Sequence, residues 1–543
     1  MASSGCRLRA GIVTATLVLI GLGGPPGALA GDGPDQPPTL AWADCGGGFE
    51  CATITVPLDY GHAARGTLEL PVIRMPAKDP ARRLGTLFVN FGGPGDPTTQ
   101  TLRAGGVAVF QGLNDRYDVL GWDLRGTGGT DAIDCKADLT RIGPLVQPFP
   151  RPETVDRDAL TRQYGAFIER CVSLNPRILP YVTTGNTARD MDRIRRALGE
   201  DHIDFFGFSY GTFLGATYES LFPERVGRFV LDGALDPEEY VGDPIHSIRH
   251  QTKAFEVALG RFLQACAAHQ DVCHGFGGDD PGSAYDELAE RMDAQPLPAG
   301  AGDPRLVDGD DLLTASIMLL YAKQAWPVLA DALASAAAGD GALVQFLVDV
   351  FYGRNADGTF DPSFDRFFAI SSTEAAFPRD ADAYFRMGAE DFDLFDHFWW
   401  NSGYFDLAQA MWPVRPKGLH AGPFRAPDGA TATLVIGTTY DPATPYKGAR
   451  RMATQLGNAR LLTMRGDGHT AYFGNSQCID TAVEAYLEDG TVPAAGTVCR
   501  QQVPFAGAPV QAMSGGETTG RRRPGTNVAL RPHTKPLVST TGR

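Results

Sequence analysis

The chain reads as an α/β protein with a helical insertion, and three observations in its 543 residues lead there. Short apolar runs bounded by turn-forming residues recur along most of the sequence, the way strands buried on both faces present themselves. Several of those runs pass through a glycine-bearing turn into a helical pattern, the alternation that builds a mostly parallel sheet covered by helices. From Asp236 to Arg425 the strand pattern stops and helical stretches replace it.

In chain order, eight runs qualify as strands: Ala52 to Val56, Thr67 to Met75, Gly85 to Asn90, Tyr117 to Trp122, Ile203 to Phe208, Arg228 to Leu231, Thr431 to Ile436 and Ala459 to Met464. The first two have only a short turn between them, too short for a crossover helix, and are expected to pair antiparallel at one side of the sheet. A helix from Tyr210 to Phe222 follows the fifth run. In the insertion, Gln251 to His269, Asp310 to Leu333 and Asp382 to Met411 carry helical spacing. The expected division is a core over 40–235, a helical cap over 236–425 and a second core part over 426–513. No internal repeat of about 20 to 50 residues points to a solenoid or propeller.

Composition excludes other classes. With 43 % hydrophobic, 10 % aromatic and 21 % charged residues the chain is neither collagenous, coiled-coil nor wholly disordered. The formal charge of -16 repels phosphate backbones, so nucleic acid is not an expected partner. That acidity is local: residues 236–425 hold 30 acidic and 13 basic side chains, a net of -17.

Arg7 and Arg9 precede an apolar stretch from Gly11 to Leu22, only 12 residues and too short to cross a bilayer. Followed by Ala28-Leu29-Ala30, it reads as a secretory signal over 1–30, cleaved after Ala30, and predicts an exported protein with no stable membrane insertion. Cys6 lies before the apolar run, not at a cleavage point, so a lipoprotein anchor is not expected. Residues 31–39 form a polar, proline-rich leader. Residues 514–543, with six basic side chains against one acidic, form a basic tail without periodic apolar residues, expected to be unfolded.

Export removes Cys6 and leaves eight cysteines, an even number that suits an oxidising compartment and predicts disulfides. Spacing alone leaves connectivity open; neighbour pairing would join Cys45 with Cys51, Cys135 with Cys171, Cys266 with Cys273 and Cys478 with Cys499. No metal is expected, since Cys273 and His274 have nothing nearby to complete a tetrahedral set.

The chemistry concentrates at three strand ends. Gly207-Phe208-Ser209-Tyr210-Gly211 sits where the fifth run should turn into a helix, and a serine on such a turn points its hydroxyl out of the sheet. A serine hydroxyl needs a base, and the base needs a carboxylate that fixes its tautomer. Asp441 stands just past the seventh run and His469 just past the eighth. Taken singly, they could be a cap residue and a loop histidine. Together the order Ser209, Asp441, His469 forms a candidate catalytic triad. The backbone N–H of Tyr210 and that of Gly93, in the loop Asn90-Phe91-Gly92-Gly93-Pro94-Gly95, are the candidate oxyanion donors, with Gly92 the alternative to Gly93.

These residues resemble the secreted tripeptidyl aminopeptidase-like hydrolases of actinobacteria, relatives of the proline iminopeptidases within the α/β-hydrolase family. The resemblance runs from Leu40 to Gln501. It rests on Gly92 to Gly95, on Gly121-Trp122-Asp123-Leu124-Arg125-Gly126-Thr127-Gly128, on the Ser209 turn, and on Leu231-Asp232-Gly233 with Asp236-Pro237. It continues through the Asp441 turn and the His469 loop to a C-terminal segment, Ser476-Gln477-Cys478 to Gly496-Thr497-Val498-Cys499, which is the most discriminating part and supports the Cys478–Cys499 pair. The chain departs from the family at Asp96-Pro97-Thr98, where small residues and serine are usual, and at Thr130, where serine is usual.

The resemblance implies an α/β-hydrolase fold with an eight-stranded, mostly parallel sheet. It also implies Ser209 as nucleophile, Asp441 as orienting acid, His469 as base, and release of short peptides from substrate N-termini without a cofactor. An esterase or lipase-like hydrolase is the alternative enzyme, and a non-catalytic binding protein the alternative of another class. In the acidic insertion, Glu390, Asp391, Asp393 and Asp396 interleave with Phe392, Phe395, Phe398, Trp399 and Trp400, a mixture suited to one buried substrate ammonium or, residue by residue, to an acidic surface over an aromatic core.

Overall fold

The computed structural model describes residues 39–138, 148–427 and 429–505. The signal sequence with Cys6, residues 31–38 of the leader and the tail 514–543 lie outside them.

Among the described residues the sheet has ten strands: β1 (Ala43–Asp44), β2 (Glu50–Pro57), β3 (Thr67–Met75), β4 (Gly85–Asn90), β5 (Tyr117–Trp122), β6 (Ile203–Phe208), β7 (Val226–Asp232), β10 (Leu434–Tyr440), β11 (Arg460–Asp467) and β12 (Val498–Arg500). β8 (Leu297–Pro298) and β9 (Leu306–Val307) form a separate antiparallel pair in the insertion. The spatial order is β1-β2-β3-β5-β4-β6-β7-β10-β11-β12. The first three pairings in that order are antiparallel and the remaining six parallel.

Eight strands were expected, and the two extra ones stand at the sheet edges. β1 and β12 are two and three residues long, too short to show any periodicity. β10 starts and ends later than its apolar run, because Thr438 and Tyr440 continue the pairing with β11.

Both faces of the parallel strands are apolar. Leu87, Val89, Phe206, Phe208, Leu434 and Ile436 pack on one face, and their alternates Phe88, Phe205 and Val435 on the other. This is the period of two of a sheet covered on both sides. The covering helices between strands are α1 (Thr98–Arg103), α2 (Arg157–Leu174), α3 (Thr184–Leu198), α4 (Tyr210–Leu221), α14 (Tyr446–Leu456) and α15 (Gln477–Asp489).

Between β7 and β10 come α5 (Pro237–Gly242), α6 (Pro244–Ala268), α7 (Pro281–Ala294), α8 (Gly309–Leu320), α9 (Trp326–Ala337), α10 (Ala342–Tyr352), α11 (Ser363–Glu374), α12 (Ala381–Leu394) and α13 (Asp406–Ala410). Two expected helices are broken. Asp310 to Leu333 divides into α8 and α9, since Pro327 has no N–H to give and its ring would strike the carbonyl four residues back in a continuous helix. Asp382 to Met411 divides into α12 and α13, with Gly403 at φ 74° in the connection. The Gln251 to His269 helix is α6, which starts earlier, where Asp243 caps it by accepting the N–H of His246.

The eight described cysteines are joined in the neighbour pairing: Cys45–Cys51, Cys135–Cys171, Cys266–Cys273 and Cys478–Cys499.

Candidate active site

Ser209 lies between the last residue of β6 and the first of α4, at φ 55° and ψ −124°. A non-glycine residue in that region is strained by roughly 1 to 3 kcal/mol, and the surrounding packing has to impose it. The flanking glycines explain how. A Cβ on Gly207 would fall 2.4 Å from the carbonyl oxygen of Gly211, and one on Gly211 would fall 2.8 Å from Asn90 Oδ1. The chain can turn this tightly only because neither side chain exists. Ser209 N–H donates to the Asp232 carbonyl at 2.9 Å, and the Thr212 N–H and hydroxyl both return to the Ser209 carbonyl.

The loop after β4 reaches the same place. At Gly92 a Cβ would stand 2.8 Å from Ser209 Cβ, so the loop backbone lies directly against the serine. The Gly92 N–H is already given to Asn90 Oδ1 at 3.1 Å. Tyr210 is the first residue of α4, where a helix N–H has no partner in its own helix.

Asp441 follows β10 and is buried. Its Oδ1 accepts the N–H groups of Ala443 and Thr444 at 2.9 and 2.8 Å, and its Oδ2 accepts the Thr444 hydroxyl at 3.1 Å. Both oxygens lie 3.0 Å from His469 Nδ1. A carboxylate there places the ring proton on Nδ1, so Nε2 carries the lone pair of a base. That Nε2 is buried and has no hydrogen-bond partner among the described residues. His469 N–H donates to the Tyr321 carbonyl at 2.6 Å, and the two rings meet edge to face at 5.5 Å. Burial pulls the imidazole toward neutrality, but the Asp441 charge and hydrogen bond outweigh it and raise its pKa above the ordinary value.

His469 Nε2 makes no hydrogen bond to Ser209 Oγ, but both residues adjoin the end of one strand. Asp232, the last residue of β7, accepts the Ser209 N–H on its carbonyl, and a Cβ on the next residue, Gly233, would sit 3.0 Å from the His469 ring. The Asp232 carboxylate accepts the N–H groups of Ala471 and Tyr472 at 2.9 and 2.8 Å, holding the histidine loop. Burial raises its pKa to about 6, against the pull of those two donors and the nearby His469.

Sequence reasoning assigned no role to Asp232 or Thr444. Thr444 stands three residues after Asp441 with its hydroxyl 3.2 Å from His469 Nδ1, a contact that only the turn geometry reveals. It also missed Glu374, fully buried at the end of α11, which accepts the N–H and hydroxyl of Thr184; that hydroxyl in turn contacts the Tyr210 hydroxyl. Burial lifts the Glu374 pKa to about 7.

The expected ammonium cluster is not an open pocket. Asp391 is buried, 2.7 Å from Arg249 and bonded to the Ser402 hydroxyl, and Glu390 lies 3.0 Å from the same guanidinium. Asp393 and Asp396 are exposed. The aromatics are core: Trp400 stacks on Phe149 with centroids 4.0 Å apart, and Trp399 donates to the Pro150 carbonyl. Apolar neighbours had to be buried, and the acids among them either found an arginine or turned to solvent.

Residues 94–271 match the family described as alpha/beta hydrolase fold, and residues 398–499 match the family described as TAP-like protein. Over 476 residues the chain is 33 % identical to the serine protease Hip1 of Mycobacterium tuberculosis, covering 83 % of this chain and 88 % of that one. The chain belongs to the α/β-hydrolase family. This hydrolase is also similar to the carboxylesterase B of Mycobacterium tuberculosis, 34 % identical over 463 residues, with 83 % and 86 % covered. It is similar to the tripeptidyl aminopeptidase of Streptomyces lividans as well, 30 % identical over 484 residues, with 85 % and 86 % covered. It is a serine hydrolase, and a peptidase-like one. No described helix is long and apolar enough to cross a membrane.

Proposed function

We propose that this hydrolase is a secreted exopeptidase that releases short peptides, tripeptides first, from free N-termini through an acyl-enzyme. The observation that carries this reading is the buried Asp441–His469 pair, whose open Nε2 belongs to the same strand-end cluster as the strained Ser209. In the proposed cycle Nε2 takes the Ser209 proton as the oxygen attacks the scissile carbonyl, and Asp441 stabilises the imidazolium that forms. The Gly93 and Tyr210 N–H groups meet the developing oxyanion. His469 then protonates the leaving amine. Water, deprotonated by the same nitrogen, attacks the ester carbonyl, and Ser209 recovers its proton as the released peptide leaves.

No cofactor enters this cycle. The relatives named serine protease and tripeptidyl aminopeptidase support peptide substrates. The four disulfides support an exported protein. Residues 236–425 would act as the cap: a Cβ on Gly95 would fall 2.5 Å from the Ser363 carbonyl of α11, so the insertion bears directly on the oxyanion loop.

The relative named carboxylesterase B favours an esterase as the second reading. One comparison separates them: hydrolysis of free and N-acetylated tripeptide anilides and of simple esters by the purified protein. An ammonium held by a charge-assisted contact predicts that acetylation lowers kcat/KM about ten- to a hundredfold. Equal cleavage of blocked and free anilides, or a clear preference for esters, moves the protein to the esterase reading.

A further inference from the structure

Beside the histidine loop, at the carboxyl ends of β10 and β11, opens a cleft of about 370 Å³, whose lining includes Arg261, Lys323, Tyr440, Arg465, Asp467 and Gln501. Three of these are cations and one is an acid. The Asp467 side chain, only 5 % exposed, binds Arg261 Nε and holds Lys323 Nζ at 2.9 Å. Arg261 lies over the Tyr440 ring, 3.6 Å from its centroid. Gln501 is pinned through both ends of its amide, giving Nε2 to the Asp467 carbonyl at 2.8 Å and taking the Asp467 N–H at 3.0 Å. One carboxylate therefore fixes two cations and neutralises one. Arg465 is exposed, and no carboxylate pairs with its guanidinium among the described residues. Three positive charges against one negative leave a local balance of +2 in a chain of net -16.

Two cations held in fixed positions beside an exposed third, two of the three being guanidinium forks, are suited to bind an oxyanion. The cleft's place in the chain narrows the ligand. Tyr440 immediately precedes Asp441, and Asp467 stands two residues before His469. In the cycle above His469 gives its proton to the departing amine, so the part of the substrate that leaves lies on the histidine side of the scissile bond. We propose that this cleft is a subsite for a carboxylate on the leaving part of the substrate, an acidic side chain just beyond the cleaved bond. The proposal rests on the peptidase reading.

The test uses two peptide amides with free amino ends, alanine at the first three positions, and either two aspartates or two asparagines after them. Binding is measured by calorimetry on the Ser209→Ala protein, which keeps the cleft and cannot turn over, and on the Ser209→Ala, Arg465→Gln double variant. The expected result is about tenfold tighter binding of the aspartate peptide by the first protein. The difference should fall below about threefold in the double variant, and likewise at about 0.5 M salt. Equal binding of the two peptides by the Ser209→Ala protein overturns the subsite. So does inorganic phosphate binding as tightly as the aspartate peptide, because the cleft would then serve a free anion. Turnover by the unmodified enzyme separates the two claims. An aspartate preference in binding without cleavage of either peptide supports the anion cleft and ends the peptidase reading. Cleavage of both peptides with no preference in binding ends the subsite alone.

Discussion

The Thr444 hydroxyl touches both Asp441 and His469, donating to Asp441 Oδ2 at 3.1 Å and standing 3.2 Å from His469 Nδ1. Thr444→Val keeps the shape of the side chain and removes that hydroxyl, while the N–H groups of Ala443 and Thr444 still bind the other carboxylate oxygen. The expected outcome is a fall in kcat of about tenfold, the size of one hydrogen bond of about 1 kcal/mol or slightly more, with KM and the thermal midpoint little changed. Steady-state kinetics beside a melting curve check it; unchanged kcat would remove Thr444 from the catalytic machinery. Ser209, Asp441 and His469 were legible in the sequence as candidates because each stands at the end of an apolar run and their order matches a known chemistry. Thr444 and Glu374 were not, since their importance comes from partners 25 and 190 residues away that no local pattern links to them.

At the scale of elements, the strands were the most readable part. Thr67–Met75, Gly85–Asn90, Tyr117–Trp122 and Ile203–Phe208 have the bounds that their flanking turn residues predict. The insertion was less so, because helical spacing alone does not show where Pro327 or Gly403 interrupts it. β12 is the extreme case: three residues that add to β11 in parallel while Cys499 joins Cys478 in α15. Such a strand contributes few sheet hydrogen bonds, so the disulfide should account for much of its attachment. The Cys478→Ser, Cys499→Ser double variant is expected to lose about 2 to 4 kcal/mol of unfolding free energy in a denaturant titration. Hydrogen exchange should increase first over Val498–Arg500. A variant as stable as the parent, with unaltered exchange there, would contradict this.

Across the whole molecule, burial has shifted several acids in the same direction. Glu219 and Glu374 are raised to about 7 and Asp232 to about 6, each mainly by loss of water around the charged form. A carboxyl group that holds its proton more tightly folded than unfolded favours the folded state fully below its unfolded value. That contribution is lost as pH rises through the folded value, here from about 4 to about 7. His397 and His469 are raised above the ordinary histidine value despite burial, His397 by Glu256 and Asp286 and His469 by Asp441. Their contribution too is present in acid and lost as pH rises through the folded values. In the opposite sense, Asp303 is lowered to about 2 by Arg305, so its contribution is lost only in stronger acid. The thermal midpoint is therefore expected to be several degrees higher at pH 5 than at pH 8, and Glu374→Gln should remove part of that slope. Calorimetry at the two pH values decides it; a flat profile or a higher midpoint at pH 8 would show that these groups are not buried as described. Composition and charge had placed the acidity in residues 236–425, but which acids are buried depends on packing between distant segments.

The proposal that Ser209 is the nucleophile of an Asp441–His469 pair is tested most directly by a fluorophosphonate probe and mass spectrometry of the digested adduct. The account predicts one covalent adduct, on Ser209 at the start of α4, absent from the Ser209→Ala protein and formed at a much lower rate by His469→Ala. An unlabelled protein, or an adduct on any other residue, would contradict it.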